Sequence, residues 1–179
     1  LIDIGTGSGI LAIAAARLGV PRVTATENDP QALDQARKNA RLNRVSRNIR
    51  FLEADITRDP PLPAHEMVVA NLYGLLLATH AERIAAAARN MIVLSGIREM
   101  EADSVAAAFA ALGWFEVERD GDGEWCGLRL EREERGAEYC AEEGNNVRGR
   151  AGRTEPESRP AARPKNSRAR SRGKPRRTS

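Results

Sequence analysis

Four features of this chain could do chemistry together. The first is the run Gly5-Thr6-Gly7-Ser8-Gly9 behind the apolar stretch Leu1 to Ile4. A glycine-rich turn at the end of a strand lets the backbone approach a ligand closely, and the helix that follows offers its N-terminus to negative charge. This is not the dinucleotide fingerprint, which wants its third glycine where Ile10 stands, whereas Gly9 comes one place earlier. Alone, such a turn is no more than a tight strand-to-helix connection. The second feature is Glu27, 22 residues after Gly5, at a strand end where a carboxylate can accept both hydroxyls of a ribose. The third is Asp55, which ends the next strand and could accept from an adenine amino group or cap the following turn. Two acidic groups at successive strand ends beside a glycine turn describe an adenosine-shaped site. The fourth is Asn71, closing "VVAN". Its amide oxygen can hold the N–H of an amine and aim the nitrogen lone pair, although an amide cannot take the proton, and a bare asparagine could also simply satisfy a turn.

The elements that must position these residues alternate between strand and helix. A strand at Leu1 to Ile4 leads to a helix over Ile10 to Leu18. "RVTATE" is a second strand. Asp29 suits an N-cap with Pro30 at the first helical position, and Leu33, Ala36 and Ala40 share one face. "IRFLEAD" and "EMVVAN" are further strands, followed by an alanine-rich helix over Leu75 to Arg89 and the strand "MIVLSG". The next helix buries Val105, Phe109 and Leu112 and stops at Gly113. "WFEVERD" and "EWCGLRLE", joined by Gly-Asp-Gly, read as a closing antiparallel hairpin. The pattern predicts an α/β fold: a doubly wound, Rossmann-like sheet of seven strands over residues 1–131, with the last strand antiparallel. In that arrangement the strand of Asn71 lies beside the first, so Asn71 faces the glycine turn across the crevice where strand order reverses.

Of the 179 residues, those from Gly144 to Ser179 carry ten arginines and two lysines against two glutamates, a net of +10; with a total of +3, the remainder carries −7. This tail has one valine, four alanines and no aromatic residue. It cannot bury enough apolar surface to offset the entropy of ordering itself, so residues 132–179 are expected to be disordered. An arginine-rich arm could contact RNA phosphates nonspecifically. The competing reading is a solvated extension, even a product of altered reading frame or read-through, and the lack of aromatics to stack on bases favours it. Cys126 and Cys140 are too few for a disulfide framework or a metal cluster, and they fit a reducing, cytoplasmic compartment. His65 and His80 have no partner at metal-ligand spacing and read as surface or loop residues, so no metal is expected. No run of about 18 apolar residues could cross a membrane. The chain opens at Leu1 inside a strand, without a methionine, which suggests that residues upstream were lost or that a longer chain was cut.

Taken in order, "LIDIGTGSGILAIAA", "ENDPQALDQARKNARLN", "VVANL", "LSGI" and "GEWCGLRLER" resemble the successive motifs of bacterial ribosomal protein L11 methyltransferases, which depend on S-adenosylmethionine. The first motif is generic to that methyltransferase fold; "VVANL", "LSGI" and the terminal hairpin narrow the resemblance to the family. It implies a cofactor site formed by Asp3, Gly5, Thr6, Gly7, Gly9, Glu27, Asn28, Asp55 and Asn71, with Asn71 as the catalytic residue where cofactor and target amine meet. The implied acceptors are amines of ribosomal protein L11, on lysine side chains or at its N-terminus, and the implied enzyme is a monomer. Glu27 stands where the family usually has aspartate, and "AAAARNM" replaces the usual glycine-bearing turn before "LSGI". The basic tail has no counterpart. Family members carry a recognition domain, a linker and an enclosing loop before this point, so the chain reads as the catalytic half of a longer enzyme. The alternatives keep the fold but change the role: a methyltransferase acting on RNA or another protein, or an inactive fragment that binds cofactor.

Overall fold

A computed structural model describes residues 1–132. Seven strands form one sheet in the order β3-β2-β1-β4-β5-β7-β6. β1 (Ile2–Ile4), β2 (Val23–Glu27), β3 (Ile49–Glu53), β4 (His65–Asn71) and β5 (Ala88–Arg98) run parallel, while β7 (Trp125–Arg132) is antiparallel to both β5 and β6 (Trp114–Gly121). The seven-stranded sheet and its antiparallel last strand are therefore as the sequence predicts. The predicted disorder of residues 132–179, and Cys140, lie outside the described residues apart from Arg132.

Helices cover both faces. α1 (Ile10–Arg17) and α2 (Pro30–Leu42) close one side, where Ala12, Ile13 and Ala16 pack with Val23, Ala25, Ala40 and Ile49. Asp29 caps α2 by accepting from the N–H of Gln31 at 2.8 Å, with Pro30 at the first turn, and Leu33, Ala36 and Ala40 are buried. On the other side α3 (Gly74–Thr79), α4 (Ala81–Ala86) and α5 (Ala102–Ala110) enclose a larger core that includes Ile2, Ile4, Leu77, Ile92, Phe109, Trp114 and Leu128. No helix among the described residues is long and apolar enough to cross a membrane.

Three expectations are corrected. The helix predicted over Leu75 to Arg89 is broken at His80, whose φ of −110° leaves the helical range, and β5 begins at Ala88 instead of Met91. Alanine propensity favours continuation, but the N–H of His65 claims the carbonyl of Ala87 at 2.8 Å, which draws the alanine run into the sheet. Leu112 is exposed: α5 ends at Ala110, so the inward ridge is Ala102, Val105 and Phe109, and Trp114 takes the next buried place. His65 is not on a loop. It opens β4 half-buried, its ring between the Thr24 hydroxyl at 2.9 Å and the Pro63 carbonyl at 2.7 Å. Burial lowers its pKa below the ordinary histidine value.

Candidate cofactor and acceptor site

The sheet order reverses at β1, which has β2 on one side and β4 on the other. Three segments therefore leave their strands together: the glycine turn after Ile4, Glu27 at the end of β2 and Asn71 at the end of β4. Ile4 is in register with Ala70, which brings Gly5 level with the Asn71-Leu72 segment. Gly5 has φ +71°, and a Cβ there would stand 2.6 Å from the Leu72 side chain. Glycine meets both demands without strain, whereas any side chain would have to displace Leu72 and hold a left-handed backbone.

Beneath the turn, Asp3 is buried at 1% exposure. Its Oδ2 accepts from the Thr6 hydroxyl at 2.6 Å and from the N–H of Ala12 at 3.0 Å, tying the turn to the first turn of α1. Its Oδ1 is buried without a partner among the described residues. Thr6 also donates its N–H to the carbonyl of Thr26, and Gly9 donates to the carbonyl of Thr6, both closing the loop. Burial pushes the Asp3 carboxyl up to about 6, against the bonds from Thr6 and Ala12 that pull it down. The folded pKa exceeds the unfolded one, so this group destabilises the fold progressively as pH rises from about 4 to 6 and fully above that, by about 3 kcal/mol. Asp3→Asn keeps an acceptor for Thr6 and Ala12 but cannot ionise. Denaturant titrations of both forms at pH 4.5 and 7.5 should show the stability difference moving by about 2 kcal/mol toward the asparagine form at the higher pH. A pH-independent difference would mean that Asp3 titrates normally.

The Glu27 carboxylate is clasped by backbone. Its Oε2 accepts from the N–H of Gly7 at 2.8 Å, and its Oε1 from the N–H groups of Asn28 at 2.9 Å and Asp29 at 3.1 Å. It thus fixes the middle of the glycine turn while presenting its edge to a cavity of about 130 Å³ lined by Ile4, Gly5, Glu27, Asp55, Ile56 and Leu72, among others. Asp55 is not the last residue of β3, which ends at Glu53. It lies in the turn beyond, where its Oδ1 accepts from the N–H of Thr57 at 2.8 Å and from the Thr57 hydroxyl at 2.6 Å. These bonds from Thr57 hold its carboxyl below the ordinary carboxylate range. The turn-capping role is therefore made, and the residue also lines the cavity, as does Asn28.

Asn71 is exposed at the mouth of β4, with its Nδ2 donating to the Ser95 hydroxyl of β5 at 2.9 Å. It does not line the small cavity. It lines a second one of about 800 Å³, with Leu72, Tyr73, Ser95, Gly96, Asp120, Asp122, Trp125 and Cys126. Leu72 belongs to both walls. Burial pushes the Cys126 thiol up, so that part of the wall is uncharged. Asp122 accepts the N–H groups of Trp125 at 2.8 Å and Glu124 at 3.0 Å, which hold it ionised. Apart from Asn71 and Cys126, the residues of this second wall are not singled out individually by the sequence. Their signals were a glycine within a strand, Gly96, and the aspartate of the Gly-Asp-Gly turn.

No group of acidic, histidine or cysteine residues capable of holding a metal occurs among the described residues. The donor set fits a nucleoside instead. Carboxylates at the rim suit hydroxyl and amino donors, and Ile4, Ile56, Leu72 and Leu76 offer apolar surface to a flat ring.

The family described as ribosomal protein L11 methyltransferase (PrmA) matches residues 1–133. A ribosomal protein L11 methyltransferase of Chloroflexus aurantiacus is 35% identical over 72% of this chain and 47% of its own length. One from Thermus thermophilus is 39% identical over 70% of this chain and 49% of its own. The chain thus spans about half the length of these relatives. The crystal structure of a ribosomal protein L11 methylase from Lactobacillus delbrueckii subsp. bulgaricus superposes with a TM-score of 0.67 at 28% identity, covering 73% of this chain and 68% of that one. A magnesium protoporphyrin IX methyltransferase of Synechocystis, solved with bound SAM, shares the fold at a TM-score of 0.62 and 14% identity, covering 74% of this chain and 69% of that one.

Proposed function

Because this chain belongs to the ribosomal protein L11 methyltransferase family, we propose that residues 1–131 are an S-adenosylmethionine-dependent methyltransferase domain that methylates amines of ribosomal protein L11, on lysine side chains or at the N-terminus. The observation that carries the reading is the pair of cavities sharing Leu72, one nucleoside-like and one open to a larger side chain, with Asn71 on the wall of the second.

The bound cofactor supplies an electrophilic methyl group on a sulfonium. Glu27 would hold the ribose, Gly5 would keep its approach clear, and Ile56, Leu72 and Leu76 would offer apolar surface to the base. Asn71 has its Nδ2 committed to Ser95, so its Oδ1 accepts an N–H of the amine and directs the lone pair. Asp120 and Asp122 place negative charge on the wall that a cationic side chain enters, and neither is paired with a cation among the described residues. A lysine of pKa ~10.4 costs about 4–5 kcal/mol to present neutral at pH 7. Desolvation in the cavity and the cofactor's positive charge lower that cost, against Asp120 and Asp122, whose negative charge draws the cation in but raises it. Alignment within about 3 Å supplies several kcal/mol more.

Calorimetry with S-adenosylhomocysteine, followed by transfer of a radiolabelled methyl group to ribosomal protein L11, tests the reading. One-to-one binding and label confined to amines of the protein are expected. No nucleoside binding, or label appearing in ribosomal RNA in place of protein, would overturn it.

A further inference from the structure

The stretch "LSGI" is not a plain strand. In the pairing of β5 with β7, Leu94 faces Leu128 and Ile97 faces Cys126, so Ser95 and Gly96 together oppose Gly127. This is a β-bulge, a device that re-aims a side chain. Gly96 takes φ +76°, a conformation in which an L side chain is strained. A Cβ at Gly96 would stand 3.0 Å from Oδ1 of Asn71, 3.1 Å from the carbonyl of Leu72 and 3.3 Å from its N–H nitrogen. Opposite, Gly127 has no side chain, and a Cβ there would meet the Leu94 carbonyl at 3.2 Å. Two glycines thus clear the space in which the bulge sits.

The bulge grips the end of β4 at two points. Ser95 is the cross-strand partner of Asn71. Its carbonyl accepts from the N–H of Leu72 at 3.1 Å, and its hydroxyl accepts from Nδ2 of Asn71 at 2.9 Å. An asparagine amide can turn over and exchange its oxygen for its nitrogen. A serine hydroxyl can serve either end of an amide; here it takes the nitrogen end, and bare Gly96 leaves room beside the oxygen end.

We propose that Ser95, set by the Gly96 bulge, is a positioning residue that holds the Asn71 amide with its oxygen available to the acceptor amine. The inference rests on the reading of Asn71 as the group that meets the amine. Ser95 itself touches neither reacting atom. Its contribution is to restrict the plane of the amide through the bond to Nδ2, which leaves Oδ1 turned away from Ser95.

The test uses the full chain labelled with ¹⁵N and follows the side-chain amide protons of Asn71, assigned by their loss in Asn71→Ala. Ser95→Ala should speed their exchange with water by about tenfold and move their resonances, and Ser95→Thr should restore both. Unchanged amide protons in Ser95→Ala would overturn the proposal. Turnover is the second readout. With ribosomal protein L11 as acceptor, Ser95→Ala should lower kcat about tenfold, leave KM for the cofactor unchanged, and cause no further loss in the Asn71→Ala background. Full additivity of the two losses would also overturn it. Absence of S-adenosylhomocysteine binding by the wild-type chain would count against the methyltransferase reading, while the amide exchange would still decide the role of Ser95.

Discussion

Asn71→Ala should lower turnover about 100-fold to 1000-fold, the range seen when one preorganised polar contact to a reacting group is removed. It should weaken cofactor binding far less. The side chain lies on the wall of the larger cavity and does not line the smaller one, so its contact with the acceptor is completed as the reaction proceeds. Its nitrogen end is bonded to Ser95 and its oxygen end is bordered by bare Gly96. The alanine form loses the acceptor for the amine N–H without losing Leu72, whose N–H is held by the Ser95 carbonyl. The fold should therefore survive. Single-turnover rates with ribosomal protein L11, beside cofactor titrations of both forms, separate the two effects. Undiminished turnover would remove Asn71 from the mechanism. An equal loss in cofactor affinity would make it a cofactor-binding residue instead.

The glycine turn and the carboxylate at the end of β2 were legible because their signals are local. A glycine turn, a strand-end carboxylate and a fixed interval between them survive in one dimension, and alternating strand and helix places them side by side in a parallel sheet. The closing hairpin was legible for the same reason, since Gly121, Asp122 and Gly123 can scarcely be anything but a turn. The wall of the larger cavity, Asn71 apart, was not, because it is assembled from distant segments. Ser95 gains its role only when β5 pairs with β4 and bulges against β7, and Trp125 and Asp120 reach the wall only through the antiparallel hairpin. The end of the alanine-rich helix before Arg89 shows the same limit. Local propensity favours one long helix through the alanines, and a hydrogen bond from His65, 22 residues before Ala87 in the chain, decides otherwise.

The second large effect concerns Glu27, whose length is the point at issue. Its Oε1 has both lone-pair sites taken by the N–H groups of Asn28 and Asp29, and its Oε2 has one taken by Gly7. One acceptor site remains for a ribose hydroxyl, so a second ribose bond must replace a backbone N–H. The carboxylate therefore couples the cofactor to the glycine turn. Glu27→Ala removes the ribose contact and the clasp on Gly7 together, and charge-assisted bonds of this kind are each worth about 1.5–3 kcal/mol, so affinity should fall about 100-fold or more. Glu27→Asp keeps the charge but is one methylene shorter. It can still serve Asn28 and Asp29, which adjoin it in sequence, yet it draws back from Gly7, 20 residues away across the loop. An intermediate loss of about tenfold is expected, with the glycine turn loosened in the free protein. Calorimetric titration of S-adenosylhomocysteine into the three forms, with hydrogen exchange at the Gly7 amide, measures both halves of the coupling. Equal affinities in wild type and Glu27→Ala would end the ribose assignment. Protected Gly7 in Glu27→Ala would show that the turn is held by Asp3 and Thr6 alone.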